Sequence, residues 1–364
     1  MTDKNNNDIQ LIITNLPDDK KEEKKDTTKE NIKDTAKEKV KEIVQKSKKR
    51  KSSIDSIDSL LEEMHKRKKK KTTSRYEKGI LYRLAPTLSK LNRMVGMTKL
   101  KKNIINQVLY YIQGLNGYND GMMHTVIEGP PGTGKTEVAR IVGEIYRKLD
   151  FLSNDGFRVA KRDDFVAGYL GQTAIKTQKL LEDCYGGVLF IDEAYSLGNP
   201  EGRDSFAKEA LDTLNQFLSE NKNNFVCIIA GYKDSLEKSF FNMNEGLKRR
   251  FPWKYNIESY TSKELLKIFL KQIFEDYWEI DCDKNKLDEI FEENCKYLSF
   301  NGGDTENLFQ KCKIAHSHRI FCTEESYDKR TLNIDDIENG FELHKDTYPK
   351  DRIDNFDALG AMYV

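Results

Sequence analysis

The stretch that most constrains this chain is VIEGPPGTGKTEVAR, residues 126–140, where glycines and prolines follow an apolar run and precede a lysine and a threonine. Glycines let successive backbone N–H groups converge without a Cβ between them, so the backbone can form a concave anion site. A helix that begins directly afterwards adds the positive end of its dipole to the same site. The stretch therefore predicts a phosphate-binding loop between a strand and a helix.

Eight consecutive residues complete the pattern G-x-x-x-x-G-K-[ST], in which the lysine reaches the β- and γ-phosphates of a nucleotide and the last hydroxyl can bind Mg²⁺. They are Gly129, Pro130, Pro131, Gly132, Thr133, Gly134, Lys135 and Thr136. We also expect Glu137, the next residue, to contact the nucleotide. A Gly/Pro turn without a ligand is the alternative, and the strand before and helix after the full motif argue against it.

A second motif, GGVLFIDEAYSL at residues 186–197, places Asp192 and Glu193 at the end of an apolar strand. A carboxylate there is costly to bury unless it holds a metal ion. We expect Asp192 to act on Mg²⁺, partly through water, and Glu193 to activate the attacking water. An ordinary acidic turn is the alternative. Together the two motifs predict a site that hydrolyses ATP with Mg²⁺.

Apolar strand-like runs alternate with helical patterns from residue 125 onward, which is typical of a parallel sheet with helices on both faces. The expected fold class is therefore α/β, a P-loop NTPase sheet followed by a small all-helical lid domain. The expected domains are a disordered tail at 1–75, an α/β domain at 76–258, the lid at 259–345 and a tail at 346–364.

Charge is unevenly distributed along the chain. Residues 1–75 carry 22 Lys and Arg against 15 Asp and Glu, and the remainder is mildly acidic with 39 against 45. Two basic clusters, KSKKRK at 46–51 and KRKKKK at 66–71, are typical of a nuclear-import or polyanion-binding signal, or of a solubilising tail. Nucleic acid is thus a conceivable partner of the tail, but the acidic remainder disfavours it.

The N-terminus lacks a basic-then-apolar signal pattern, and no apolar run reaches the roughly 20 residues of a membrane helix. The six cysteines are scattered without a CxxC pair, which fits a reducing compartment. We therefore expect a soluble intracellular protein, cytoplasmic or nuclear, without membrane contact. In CKIAHSHRIFC, Cys312 and His316 share a helix face and could be two metal ligands, but His318 and Cys322 point elsewhere on the same helix. Packing of the helix is therefore favoured over a metal site.

The two nucleotide motifs, followed by IIAGYKDSL and NEGLKRRF in that order and spacing, resemble the AAA-type ATPases and more narrowly the CbxX/CfqX family. The resemblance spans roughly Leu81 to His344. It implies that MVGM packs against adenine through Val95 and Gly96, although a hinge between helices is an equal alternative. It also implies that Arg250, or else Arg249, reaches the nucleotide of a neighbouring subunit, unless this arginine only forms surface salt bridges. Such a finger requires a closed ring, and family members are usually hexamers.

DDFVAGYLGQT resembles the first pore loop of that family, which implies that Tyr169 grips an extended protein client, unless it packs in the sheet. The leading expectation is a ring ATPase that remodels or threads a protein. The alternatives are a nucleic-acid motor such as a clamp loader and a nucleotide-gated scaffold. The sequence departs from the family pattern at two positions. Tyr232, Lys233 or Asp234 stands where many AAA proteins have an asparagine that senses the γ-phosphate. Gly303 lies nearest the position where the second sensor is usually an arginine.

Overall fold

The computed structural model describes residues 54–71, 75–115, 122–169, 171–198, 204–321 and 329–347. A parallel sheet of five strands in the order β2-β3-β4-β1-β5 dominates it. The strands are β1 (Thr125–Glu128), β2 (Phe157–Ala160), β3 (Val188–Ile191), β4 (Val226–Gly231) and β5 (Trp253–Asn256). Strands β1, β3 and β4 are buried on both faces, which explains why β3 and β4 contain no polar side chain, whereas β1 also buries Thr125 and Glu128.

Helices cover both faces of this sheet and form the C-terminal part of the chain. They are α1 (Ile57–Lys69), α2 (Arg75–Arg93), α3 (Thr98–Ile112), α4 (Lys135–Lys148), α5 (Arg162–Phe165), α6 (Thr173–Asp183), α7 (Ser205–Glu220), α8 (Glu245–Arg250), α9 (Ser262–Glu275), α10 (Lys284–Asn294), α11 (Gly302–Phe321) and α12 (Ile334–Asp346). Successive side chains of β4 lie on opposite faces of the sheet. Ile228 packs with α1–α4 on one face, and Ile229 packs with α6 and α7 on the other. The expected α/β fold class is confirmed.

The expectation of disorder up to residue 75 is wrong for residues 54–71. Ser56 caps helix α1 by accepting a hydrogen bond from the Ser59 backbone N–H at 3.2 Å. Ile57, Leu60 and Met64, at helical spacing, are buried in the same core layer as α2. Three buried apolar side chains therefore order a segment whose average composition is that of a tail.

Residues 66–69 of the basic cluster 66–71 form the end of α1, where Arg67 pairs with Glu63 and Glu77 and the Lys68 ammonium lies over the Tyr82 ring. This cluster is therefore part of a folded helix. The cluster at 46–51, the remainder of the N-terminal tail and residues 348–364 lie outside the described residues.

The C-terminal part is helical, as expected, and α9 to α12 share a third core cluster. It also contains a two-stranded parallel sheet, β6 (Glu279–Asp281) with β7 (Thr331–Asn333), which contradicts the expectation that strands stop at residue 259. His316 Nδ1 lies 3.0 Å from Asp336 Oδ2 in this core, and Cys312 is buried. Cys322 lies outside the described residues, and within them no group of three or more potential ligands is arranged for a metal.

Among the helices that the structure describes, none combines the length and the apolar composition needed to cross a bilayer.

Candidate nucleotide site

The phosphate-binding loop joins the carboxyl end of β1 to the first residue of α4, as the sequence predicts. Gly132 and Gly134 have φ angles of 68° and 81°, in the left-handed region that glycine adopts without strain. Gly134 is the N-cap of α4 and provides no side-chain hydrogen bond, so the first N–H groups of the helix remain available to an anion.

Lys135 hydrogen-bonds the backbone of the phosphate-binding loop. Its ammonium donates to the carbonyl oxygens of Gly129 at 3.0 Å and Pro130 at 2.8 Å. Burial lowers the pKa of Lys135, while the nearby carboxylates of Asp192 and Glu193 oppose that shift. The loop thus contains a partly desolvated cation with only neutral acceptors, which favours binding of an anion.

Two cavities meet at residues Gly132–Gly134. The first, of about 470 Å³, lies at the carboxyl ends of the strands, where open α/β sheets bind ligands. It is lined by Lys135, Thr136, Asp192, Glu193, Tyr195, Tyr232 and Glu306, together with glycines and Pro131. The structure therefore brings the predicted lysine, hydroxyl and two carboxylates into one cavity, which we call the phosphate cavity.

The second cavity, of about 590 Å³, is lined by Met94, Val95, Glu137, Ile141 and Tyr260, among others. Its apolar wall and its junction with the phosphate loop suit a nucleotide base, so we call it the base cavity. Val95 and Glu137, two of the residues that the sequence suggested as nucleotide contacts, both line this cavity. Gly96 does not line this cavity: its φ is 63°, and a Cβ there would lie 2.4 Å from Glu264 Oε1.

Asp192 and Glu193 directly follow β3, and the Glu193 backbone is left-handed with φ of 50°. A short 3₁₀ turn, Ala194–Leu197, begins there and places Tyr195 beside the carboxylates. Burial raises the pKa of Tyr195 to about 12, and the nearby charge of Glu193 adds to this shift. The Tyr195 hydroxyl therefore stays neutral beside these carboxylates at neutral pH.

The C-terminal helical part contacts the phosphate loop directly. The Gly302 N–H donates to the Gly132 carbonyl at 3.0 Å, and Asn301 Nδ2 donates to the Pro131 carbonyl at 3.1 Å. The Tyr260 hydroxyl donates to the Thr133 carbonyl at 3.0 Å. Sequence reasoning missed Tyr260, Asn301 and Glu306 as site residues; the one local signal was the Asn301–Gly302 pair, typical of a turn with a left-handed residue.

The remaining predicted site residues lie outside both cavities. Tyr169 is 74% exposed on the loop between α5 and α6, so it does not pack in the sheet. Arg250 donates to Ser219 Oγ at 2.6 Å and to the Gly246 carbonyl at 2.7 Å, whereas Arg249 is exposed on the same helix, α8. Within one chain, the guanidinium of Arg249 is therefore the more accessible of the two.

Comparison with known proteins shows the family to which the chain belongs. The model of the "ATPase family associated with various cellular activities (AAA)" matches residues 125–257. Stage V sporulation protein K of Bacillus subtilis is 31% identical over 272 residues, which cover 71% of this chain and 83% of that protein. The chain is an AAA ATPase. The resemblance inferred from the motifs is confirmed, and the chain is an enzyme that hydrolyses ATP.

Two further relatives of this AAA ATPase carry related names. The chloroplastic ribulose bisphosphate carboxylase/oxygenase activase of Cyanidioschyzon merolae is 33% identical over 62% of this chain and 78% of that protein. A cfxQ-like protein of Acanthamoeba polyphaga mimivirus is 41% identical over 71% of this chain, but the match spans only 64% of the viral protein. The AAA domain of FIGL-1 with ADP aligns with a TM-score of 0.53 at 20% identity, over 74% of this chain and 89% of that one, which supports the fold.

Proposed function

We propose that this AAA ATPase assembles into a hexameric ring and uses Mg²⁺-dependent ATP hydrolysis to remodel or thread a protein substrate. One observation supports ATP hydrolysis above all. A single cavity at the carboxyl ends of the strands is lined by Lys135, Thr136, Asp192 and Glu193. Nucleotide-binding residues of this kind act by positioning and by stabilising charge.

The donor set of the phosphate cavity fits Mg²⁺, because the Thr136 hydroxyl and the Asp192 carboxylate offer the oxygen ligands that this ion prefers. When bound, the ion would neutralise charge on the phosphate groups. Lys135 would exchange its two carbonyl acceptors for phosphate oxygens, and its partial burial strengthens that interaction. Glu193, whose side chain is exposed to the cavity, would accept a proton from the attacking water.

We assign the arginine finger to Arg250, with Arg249 as the second choice. The two side chains differ in a way that an experiment can use, because Arg250 is bound within its own chain and Arg249 is exposed. If the finger acts in trans, the residue that serves as the finger is required for turnover but not for ATP binding by each subunit.

The protein-substrate part rests on Tyr169 and on the relatives. Tyr169 is exposed and follows Gly168 on a loop at the edge of the sheet, where an aromatic ring could contact an extended chain without reading its sequence. One relative is by its name an activase of another protein. These features favour a protein client.

Four variants test the scheme: Lys135→Ala, Glu193→Gln, Arg250→Ala and Arg249→Ala. We expect Lys135→Ala to lose ATP binding, and Glu193→Gln to keep it and accumulate a nucleotide-loaded ring. One arginine variant should bind ATP normally yet turn over at least 100-fold more slowly. Binding, turnover, sizing and thermal melting are measured on each, because melting separates loss of fold from loss of the finger.

The trapped Glu193→Gln ring is then used to capture the client, with Tyr169→Ala in the same background as the matched control. Capture of a protein that requires Tyr169 supports the proposal. Full turnover by both arginine variants would contradict the trans site. DNA-stimulated turnover that falls steeply with salt would instead favour a nucleic-acid motor.

A further inference from the structure

The C-terminal helical part donates a hydrogen bond to each of three consecutive carbonyl groups in the phosphate loop. The donors lie in two segments, one just before α9 and the other at the start of α11. The acceptors and their donors are the Pro131 carbonyl and Asn301 Nδ2 at 3.1 Å, the Gly132 carbonyl and the Gly302 N–H at 3.0 Å, and the Thr133 carbonyl and the Tyr260 hydroxyl at 3.0 Å. Three successive peptide units of the loop are therefore held by one part of the molecule.

The orientation of a peptide unit fixes its N–H as well as its carbonyl. These peptide bonds are trans, so each N–H points opposite to the carbonyl oxygen of the residue before it. Because the three carbonyls face the C-terminal part, the N–H groups of Gly132, Thr133 and Gly134 are directed away from it. Gly132 and Gly134 have left-handed φ angles and Thr133 between them does not, an alternation that makes successive N–H groups converge on an anion. The hydrogen bonds from the C-terminal part thus favour the loop conformation that binds phosphate.

The glycines of the loop make such a restraint necessary. A peptide unit next to glycine can rotate at little steric cost, which lets the anion site form but also lets it be lost. After such a rotation a carbonyl oxygen would face the phosphate in place of an N–H, and that contact is repulsive. Asn301, only 2% exposed, is well placed to prevent it, because its Oδ1 also accepts a hydrogen bond from the Tyr260 N–H at 3.1 Å. The two side chains that donate to the loop are therefore joined to each other.

We propose, on the basis of the proposed nucleotide-binding role of the loop, that Asn301 and Tyr260 are positioning residues for phosphate binding. They hold the peptide units of the loop so that its N–H groups face the phosphate groups of ATP and ADP. Neither side chain has to touch a phosphate to do this. A nucleoside without phosphate gains nothing from the arrangement, so the effect is confined to phosphorylated ligands.

Two variants remove these donors one at a time. Tyr260→Phe loses the hydroxyl and keeps the ring in the base cavity, whereas Asn301→Gly loses the amide and adopts the same left-handed φ of 53° without strain. We expect the Kd for ADP, measured with a fluorescent analogue, to rise about fivefold in Tyr260→Phe and about tenfold in Asn301→Gly. The Kd for adenosine, measured by displacement of that analogue, should change by less than about twofold, because adenosine makes no phosphate contact.

Asn294→Ala is the matched control for loss of a buried amide from the same helical part. Asn294 Nδ2 donates to the Ile290 carbonyl at 2.8 Å, and the residue lines neither cavity, so this variant should melt at a lower temperature yet bind ADP like the wild type. Weaker ADP binding of the same size in this control, or an equal loss of ADP and adenosine affinity, would overturn this inference. So would unchanged ADP affinity in Tyr260→Phe and Asn301→Gly while Lys135→Ala loses ATP binding, and the proposed function would then stand. Wild-type nucleotide affinity in Lys135→Ala would overturn both.

Discussion

Glu306 lies near the N-terminus of α11 and lines the same cavity as Lys135. The negative charge of its carboxylate opposes the attraction of the phosphate loop for an anion, and it repels ATP more than ADP because ATP carries the greater charge. Glu306→Gln should therefore tighten ATP binding about twofold to fivefold relative to ADP. The ratio of the two dissociation constants, measured with fluorescent nucleotides at low and high salt, checks this prediction.

Glu338→Gln on α12 is the matched control, because Glu338 is exposed and lines neither cavity. An unchanged ratio in Glu306→Gln, or an equal change in the control, would show that the carboxylate does not act on the phosphates. Tightening that vanishes at high salt is expected for a partly screened charge.

Among single residues, the sequence predicts correctly those whose positions depend on nearby backbone geometry. Lys135 and Thr136 begin the helix that follows the glycine loop, and Asp192 directly follows a strand, so their positions follow from a few neighbouring φ and ψ angles. Tyr260 and Glu306 could not be predicted in the same way. They reach the phosphate loop from more than a hundred residues away, through tertiary packing that no local pattern specifies.

Helix α1 could not be recognised from the composition of its segment, which is that of a charged tail. Leu60 is buried in its centre within the core layer that includes α2. Leu60→Ala should lower the free energy of unfolding by about 2–4 kcal/mol, because it removes buried methyl groups and leaves a cavity. Urea denaturation checks this, with Glu62→Ala on the exposed face of the same helix as control. Equal stability of the two variants would mean that α1 is not packed in solution.

The sequence predicts elements best where one pattern covers many residues. Strand β4 lies in an unbroken apolar run, and helix α9 buries Leu266, Phe269 and Ile273 at helical spacing. Strand β5 is at the edge of the sheet, with exposed lysine and asparagine in alternation with buried tyrosine, so no apolar run marks it. Strands β6 and β7 have three residues each, too few for a period to be recognised.

In the folded molecule, the N-terminus of α11 lies against the phosphate loop. Gly302 and Gly303 line the phosphate cavity, and the Gly302 N–H donates to Gly132. A Cβ on Gly132 would lie 1.9 Å from the Phe300 carbonyl, so the two segments are in close backbone contact. Gly303, the position nearest the usual second sensor, therefore brings no arginine side chain to the described lining of this cavity.

Stability of the whole molecule should depend on pH through His124, which precedes β1 and accepts a hydrogen bond from the Cys227 N–H at 3.1 Å. Burial lowers the pKa of His124 to about 4, and the charge of Arg250 adds to this shift. In the unfolded chain the imidazole takes up a proton near pH 6.5, while in the folded chain it stays neutral to about pH 4. Protons therefore favour unfolding between these values, and stability falls as pH falls.

From pH 7 to pH 5 this difference lowers the free energy of unfolding by about 2 kcal/mol. His124→Gln lacks the titrating group, so its stability should fall by about 2 kcal/mol less over the same interval, whatever its absolute stability. His318→Gln, which changes an exposed histidine, should retain the wild-type dependence. Urea denaturation of the three proteins at both pH values measures the slopes, and parallel slopes for wild type and His124→Gln would show that His124 is not buried in its neutral form.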